Sequence, residues 1–94
     1  MNAQELAKQL RNIGPKTAQM LLDSGIESRE QLVDIGAEEA FMKIFENGKM
    51  SFGPHAAFLY ALEGAIQDCD WREIGEARKR EFKLFTKGLR DEMG

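Results

Sequence analysis

Apolar residues recur along this chain at steps of three and four, the spacing that collects side chains on one face of an α-helix. No stretch alternates apolar and polar residues as a half-buried strand does. Leu6, Leu10 and Ile13 form the first stripe, closed by Gly14-Pro15. Pro15 suits the first turn of a second helix, where a missing N–H costs no hydrogen bond. That helix carries Ala18, Leu21 and Leu22 on one face and stops at Gly25, the residue type that ends helices in a left-handed conformation. Ser28-Arg29-Glu30-Gln31 has the form of a capping box and opens a short helix that carries Leu32 and Val33 inward, as far as Ile35-Gly36. From Ala37 a further helix is predicted to bury Ala40, Phe41, Ile44 and Phe45 and to end at Asn47-Gly48.

The segment ENGKMSFGP is the one evident loop, with Ser51 placed to cap the next helix and Pro54 in its first turn. That helix, over roughly residues 54–68, is the most apolar, through Ala57, Phe58, Ala61, Leu62, Ala65 and Ile66, and is expected to be central. Trp71 and Ile74 are expected to seal its far end. A last helix over about 76–92 turns Phe82, Phe85, Leu89 and Met93 inward and gathers Lys79, Lys83, Lys87 and Arg90 on another face. The pattern therefore predicts an all-α fold. It forms a single compact domain over residues 1–94, built from five or six short helices with no linker long enough to divide it.

Three connections share one form: LRNIG at 10–14, LVDIG at 32–36 and, more weakly, WREIG at 71–75. In each, the first apolar residue and the Ile are expected to anchor the chain, and the Gly to permit a turn or a close approach. The next helix then begins with unpaired N–H groups at its positive end. At the second and third turns this is read as helix connection alone. An anion at Gly36 would meet Asp34, Glu38 and Glu39. At ~4 Å and an effective dielectric of ~20, each opposes it by a few kcal/mol before screening. The helix start returns only ~0.3–1 kcal/mol. The first turn differs, because Lys16 and Thr17 follow it and Lys8 and Arg11 flank it. Arg11, Asn12, Gly14, Lys16 and Thr17 are the candidate phosphate contacts, and Lys79, Lys83, Lys87 and Arg90 a secondary basic face.

Charge refines this picture. The net charge is −3 and the pI about 5.2, which argues against a protein that coats nucleic acid indiscriminately. The ends are nevertheless basic: Lys8, Arg11 and Lys16 against Glu5 give +2 over residues 1–18, and residues 72–90 carry +4. Residues 23–46 carry −5. The one cysteine, Cys69, is expected to be a small buried side chain in a reducing cytoplasm. No apolar run approaches the ~20 residues that span a bilayer, and the amino terminus has no signal-peptide pattern. His55 is the only histidine, so neither a zinc site nor a nucleophilic triad can be assembled. Glu63, Asp68 and Asp70 lack calcium-loop spacing. Neither catalysis nor a metal or cofactor is expected.

The stretch LRNIGPKTA resembles the helix-hairpin-helix motif of DNA-binding proteins, whose Gly-Ile-Gly-Pro-x-x-Ala hairpin contacts backbone phosphates without reading bases. The match runs through Ile13, Gly14, Pro15, Lys16, Thr17 and Ala18 to Leu21, Leu22 and Gly25-Ile26. It departs at Asn12, where a glycine is usual; asparagine tolerates left-handed backbone, so the turn is expected to survive. LRNIGPKTAQMLLDSGIESREQLVDIGAEEAF, LYALEGAI at 59–66 and Trp71 together resemble the C-terminal domain of the TfoX/Sxy family, over about residues 8–85. Those proteins are bacterial regulators of natural competence, the programme of DNA uptake and transformation.

The resemblance implies a helix-hairpin-helix or SAM-like all-α domain. It also implies a link to transcription of competence genes alongside a cyclic-AMP-responsive activator protein. Family members with the full role carry a further N-terminal domain. This chain opens on Met1 directly in the helical part, which favours a stand-alone protein. Two readings follow. One is a non-catalytic transcription-associated module that contacts DNA backbone weakly through residues 12–17. The other is a protein-interaction module without direct DNA contact, suggested by the acidic middle and basic ends.

Overall fold

The structure is a computed structural model that describes residues 2–47 and 56–93. Its helices are α1 Ala3–Gln9, α2 Pro15–Asp23, α3 Arg29–Glu46, α4 Ala56–Gln67 and α5 Glu76–Met93, with a 3₁₀ turn at Trp71–Glu73 before α5. The described residues contain no strand. The roles expected for Gly48, Ser51, Pro54 and His55 fall outside the described residues, as does the side chain of Met93.

Local signals in the sequence set most of these boundaries. Asn2 caps α1 by accepting the Glu5 N–H at 2.9 Å. At the end of α2, Gly25 takes φ +86°, Ile26 N–H reaches Leu21 O at 2.9 Å, and Gly25 N–H reaches Leu22 O at 3.0 Å. Those two bonds are the Schellman pair. Ser28 Oγ accepts from Gln31 N–H, while the Gln31 side chain turns back to the Glu27 N–H, one residue earlier than in the usual capping box.

The helix α4 is central, packing on α3, on α5 and on the 3₁₀ turn, while α1 packs on α2 and α2 on α3. Leu6, Leu10, Ile13, Ala18, Leu21, Leu32, Ala40, Phe41, Ile44, Leu62, Ile74 and Phe82 are all buried. Phe41 ties three helices: its ring meets Phe45 of α3, Phe58 of α4 and Phe85 of α5 at 6.0–6.3 Å between centroids.

Some inward faces differ from the pattern. On α4, Ala57 is exposed and Leu59 and Tyr60 are buried instead. This helix is apolar nearly all round, so spacing alone does not select a face. Val33 is 43% exposed, because Leu32 takes the inward position one residue earlier. Trp71 is 44% exposed rather than sealing α4, a task left to Ile74. Cys69 is half-buried.

The three Leu-x-x-Ile-Gly stretches share neither a full set of anchors nor a backbone, since Trp71 is exposed and Ile35 only half-buried. Gly36 bends α3 with φ 83° and ψ 165°, a region that essentially only glycine occupies. Gly14 has φ −88° and ψ 176°, open to any residue, and a Cβ there would meet nothing within 4 Å. The left-handed residue of the first turn is Asn12, at φ 70°.

Gly36→Ala is therefore expected to lower stability by about 1–3 kcal/mol. Gly14→Ser, compatible with the backbone and a good helix cap, should leave stability within about 0.5 kcal/mol. Equilibrium urea unfolding of both variants checks the contrast.

Candidate nucleic-acid interface

The hairpin between α1 and α2 is anchored from below. Leu10 and Ile13 are buried, and Ile13 N–H closes the turn onto Leu10 O at 3.3 Å. Gly14 then stands at the cap of α2 without a side chain to occupy it, Pro15 follows, and the first turn holds no acidic residue. The first intrahelical bond runs from Ala18 N–H to Gly14 O at 2.9 Å. The N–H groups of Lys16 and Thr17 accordingly belong to the set a helix start leaves without an intrahelical partner. Arg11, Asn12, Gly14 and Lys16 are exposed and Thr17 is half-buried.

Asn12 has a different task from the one its neighbours suggest. Its Nδ2 donates to Cys69 O at 3.0 Å, and its Oδ1 accepts from Trp71 N–H at 3.2 Å. Both ends of the amide are thus engaged with the segment after α4, which bolts the hairpin to the central helix. The acceptor is presented by a Schellman turn: Asp68 adopts φ 56° and Cys69 N–H reaches back to Gly64 O at 2.8 Å. Gly64 permits this approach, since a Cβ there would collide with the Asn12 amide and lie 2.8 Å from Cys69 O. Arg29, at the start of α3, completes the end of α4 by donating to Ala65 O at 3.1 Å and Ile66 O at 2.6 Å. These are carbonyls the last helical turn cannot satisfy.

Around this clamp the charges are mostly cationic or balanced. Asp70 accepts from the guanidinium of Arg72 at 3.0 and 3.1 Å and from Arg72 N–H at 2.9 Å. Those bonds hold its carboxyl at about 2, with Arg11 adding a smaller attraction. On α5, Lys79 is folded in: its Nζ lies 5.9 Å from the centre of the Tyr60 ring and 3.5 Å from Arg72 O. Lys83, Lys87 and Arg90 are exposed, and Arg90 also reaches Thr86 Oγ1 at 3.5 Å. Neither α1 nor α2 packs substantially on α5. Only the Lys79 end adjoins the 3₁₀ turn that Asn12 grips; Lys87 lies about 12 Å farther along the axis at 1.5 Å per residue.

The second turn is closed by an internal ion pair. Glu38 receives both Nη groups of Arg78 at 2.7 Å, and Arg78 also bonds Glu63 Oε1 at 3.0 Å while lying 4.3 Å over the Phe82 ring. Glu63 is 8% exposed and takes a further bond from Gln67. Bonding to Arg78 lowers the Glu38 carboxyl below its usual range, and the same contacts raise Arg78. Glu63, Asp68 and Asp70 therefore serve separate structural ends. Among the described residues no cluster of His, Cys, Asp or Glu could hold a metal ion. An open groove between Ser24, Gly25, Ile26, Gln31, Asp34, Ile35 and Lys43 lies at the other end of α2. Its Ser24 and Gln31 are already bonded to Asn47 and to Glu27 and Ser28.

The five helices of the described residues, with a hairpin anchored by Leu10 and Ile13 and an uncapped helix start, define a small all-α domain. The chain belongs to the TfoX C-terminal domain family, whose pattern matches residues 3–85. Two crystal structures from Listeria monocytogenes are similar. An uncharacterized protein in a triclinic form is 40% identical with a TM-score of 0.80, over 89% of this chain and 92% of that one. A protein of unknown function in a tetragonal form is 41% identical with a TM-score of 0.79, over 88% and 98%. No curated protein matches. No described helix is long and apolar enough to cross a membrane.

Two stability predictions follow from this geometry. Asn12→Gly keeps the left-handed backbone and loses both clamp bonds, so a cost of about 1–2 kcal/mol is expected. Gly64→Ala should cost about 1–3 kcal/mol through crowding. In a double-mutant cycle its cost should fall by at least about 0.5 kcal/mol when Asn12 is already glycine; strict additivity in urea unfolding would refute the clamp.

Acid titration tests the second pair. Because the folded pKa of Glu38 is lowered, its stabilisation is complete above the unfolded value near 4.5 and is lost as pH falls through the folded value. Arg78→Met removes that pairing. The urea midpoint of the native protein should fall more between pH 6 and pH 3 than that of the variant.

Proposed function

We propose that this domain is a non-catalytic regulatory module of the natural-competence programme, in which the hairpin Arg11–Thr17 holds DNA by its backbone. The family supports the setting. The observation that carries DNA contact is the start of α2, with neither a capping side chain nor an acidic residue in its first turn. Lys16 in that turn, and Lys8 and Arg11 just before it in the chain, are exposed. A phosphate there would accept from backbone N–H groups at the positive end of the helix and be neutralised by Lys16. Asn12 is a positioning residue in this scheme, since its amide holds the hairpin against α4. Binding is non-specific in sequence, because phosphate contacts carry no base information.

Protein docking is the second reading. Among the described residues the large exposed apolar side chains, Leu84 at 65%, Trp71 and Val33, sit on three different elements, and single exposed apolar residues are ordinary on soluble proteins. DNA contact is therefore favoured.

Titration of a labelled duplex at low salt tests the proposal. The logarithm of affinity should fall against the logarithm of salt with a slope of about −2 to −3, as expected when two or three cations neutralise phosphates. Lys16→Glu should weaken binding at least about tenfold, given that a repulsion replaces an attraction at contact distance. No binding, or binding indifferent to Lys16→Glu, would overturn it.

A further inference from the structure

Trp71 is the side chain whose position the fold does not account for. The third Leu-x-x-Ile-Gly echo places it where leucine stands in the other two, yet Leu10 and Leu32 are buried and Trp71 is 44% exposed. Its backbone is fixed all the same: the Trp71 N–H is bonded to Asn12 Oδ1 at 3.2 Å. Its ring lies parallel to that of Tyr60, with 9° between planes and 6.4 Å between centroids. Tyr60 is itself buried against Phe82 at 6.1 Å. A half-open indole, stacked on Tyr60, is therefore carried by a residue whose backbone N–H is bonded to the hairpin.

The chemistry around the indole selects a ligand. Arg11 lies close enough to Asp70 to act on its carboxyl, Arg72 is bidentate on Asp70 and 73% exposed, and Lys79 lies over Tyr60. Glu73 is an exposed anion on the same turn, which disfavours a second phosphate there but not an uncharged base. A base inside a duplex has both faces stacked and cannot reach an aromatic surface, whereas an unpaired base can stack on one at any sequence. Resting on the backbone contact proposed above, we infer that Trp71 is a stacking platform for an unpaired base, so that the hairpin and Trp71 together prefer single-stranded to duplex DNA.

Trp71 is the only tryptophan in the chain, so its emission reports stacking directly. The full chain is titrated at low salt with a dye-labelled oligothymidylate and, separately, with a labelled duplex, following anisotropy and tryptophan emission together. Single strand should quench the emission with the same midpoint as the anisotropy change, and duplex should not. Trp71→Ala should weaken single-strand binding about tenfold, the scale of losing one stacked base, and duplex binding less than about twofold. Trp71→Phe, which keeps a ring over Tyr60, should retain most single-strand affinity and guards against a folding artefact. Saturating single-strand binding with unchanged emission overturns the inference. So does an equal loss on both ligands in Trp71→Ala. Lys16-dependent duplex binding without quenching by single strand refutes only this inference; absence of binding to either refutes the backbone contact as well.

Discussion

The carboxyl end of α4 is the point on which the rest of the molecule depends. A helix leaves its last carbonyls unbonded, and α4 is the central element, so those groups cannot simply be turned to open water. Two other elements satisfy them or secure the turn beyond them. Arg29 comes from the start of α3 and takes Ala65 O and Ile66 O with a charged fork. Asn12 comes from the α1–α2 hairpin and takes Cys69 O and the Trp71 N–H. One helix end thereby sets the position of α3, of the hairpin and of the 3₁₀ turn that leads to α5. Gly64 is the steric condition for this, because any side chain there would push the Asn12 amide away.

A second junction holds the opposite flank of the same helix. Arg78 of α5 joins Glu38 of α3 to Glu63 of α4, and its stem lies on Phe82. A partly buried ion pair of this kind is weak evidence for net stability, since desolvation offsets much of the attraction. Its consequence is orientational: α5 cannot rotate about its axis without leaving Glu63 buried and unpaired. The two anchored turns, so similar in sequence, have therefore diverged in use. After Gly36, Glu38 is consumed by the protein itself. After Gly14, Lys16 has no ion pair with any described residue.

Helices, caps and most core positions were legible because each rests on local chemistry. Gly25 and Ser28 mark their helix ends by backbone geometry that neighbouring residues decide, and Leu6, Leu10 and Ile13 by spacing alone. Errors fell where periodicity carries no information. The inward face of α4 is ambiguous in a helix apolar nearly all round, hence Ala57 in place of Leu59. The ion pair of Glu38 with Arg78 spans forty positions, and no local pattern announces a pairing at that separation. The same holds for Asn12 and Cys69, fifty-seven apart.

Asn12 shows how such a distant contact changes the meaning of a motif. A glycine at this place in a helix-hairpin-helix supplies left-handed backbone and nothing else. Asparagine supplies the same backbone, at φ 70°, and adds an amide with one donor end and one acceptor end. Were that side chain directed outward, it would stand over the hairpin at the proposed phosphate contact. It is directed inward instead, and both of its ends are bonded to the segment that carries Trp71. The departure from glycine therefore keeps the turn and adds two hydrogen bonds between the hairpin and the backbone that carries Trp71. A hairpin with glycine at position 12 would keep the first property and lose the second.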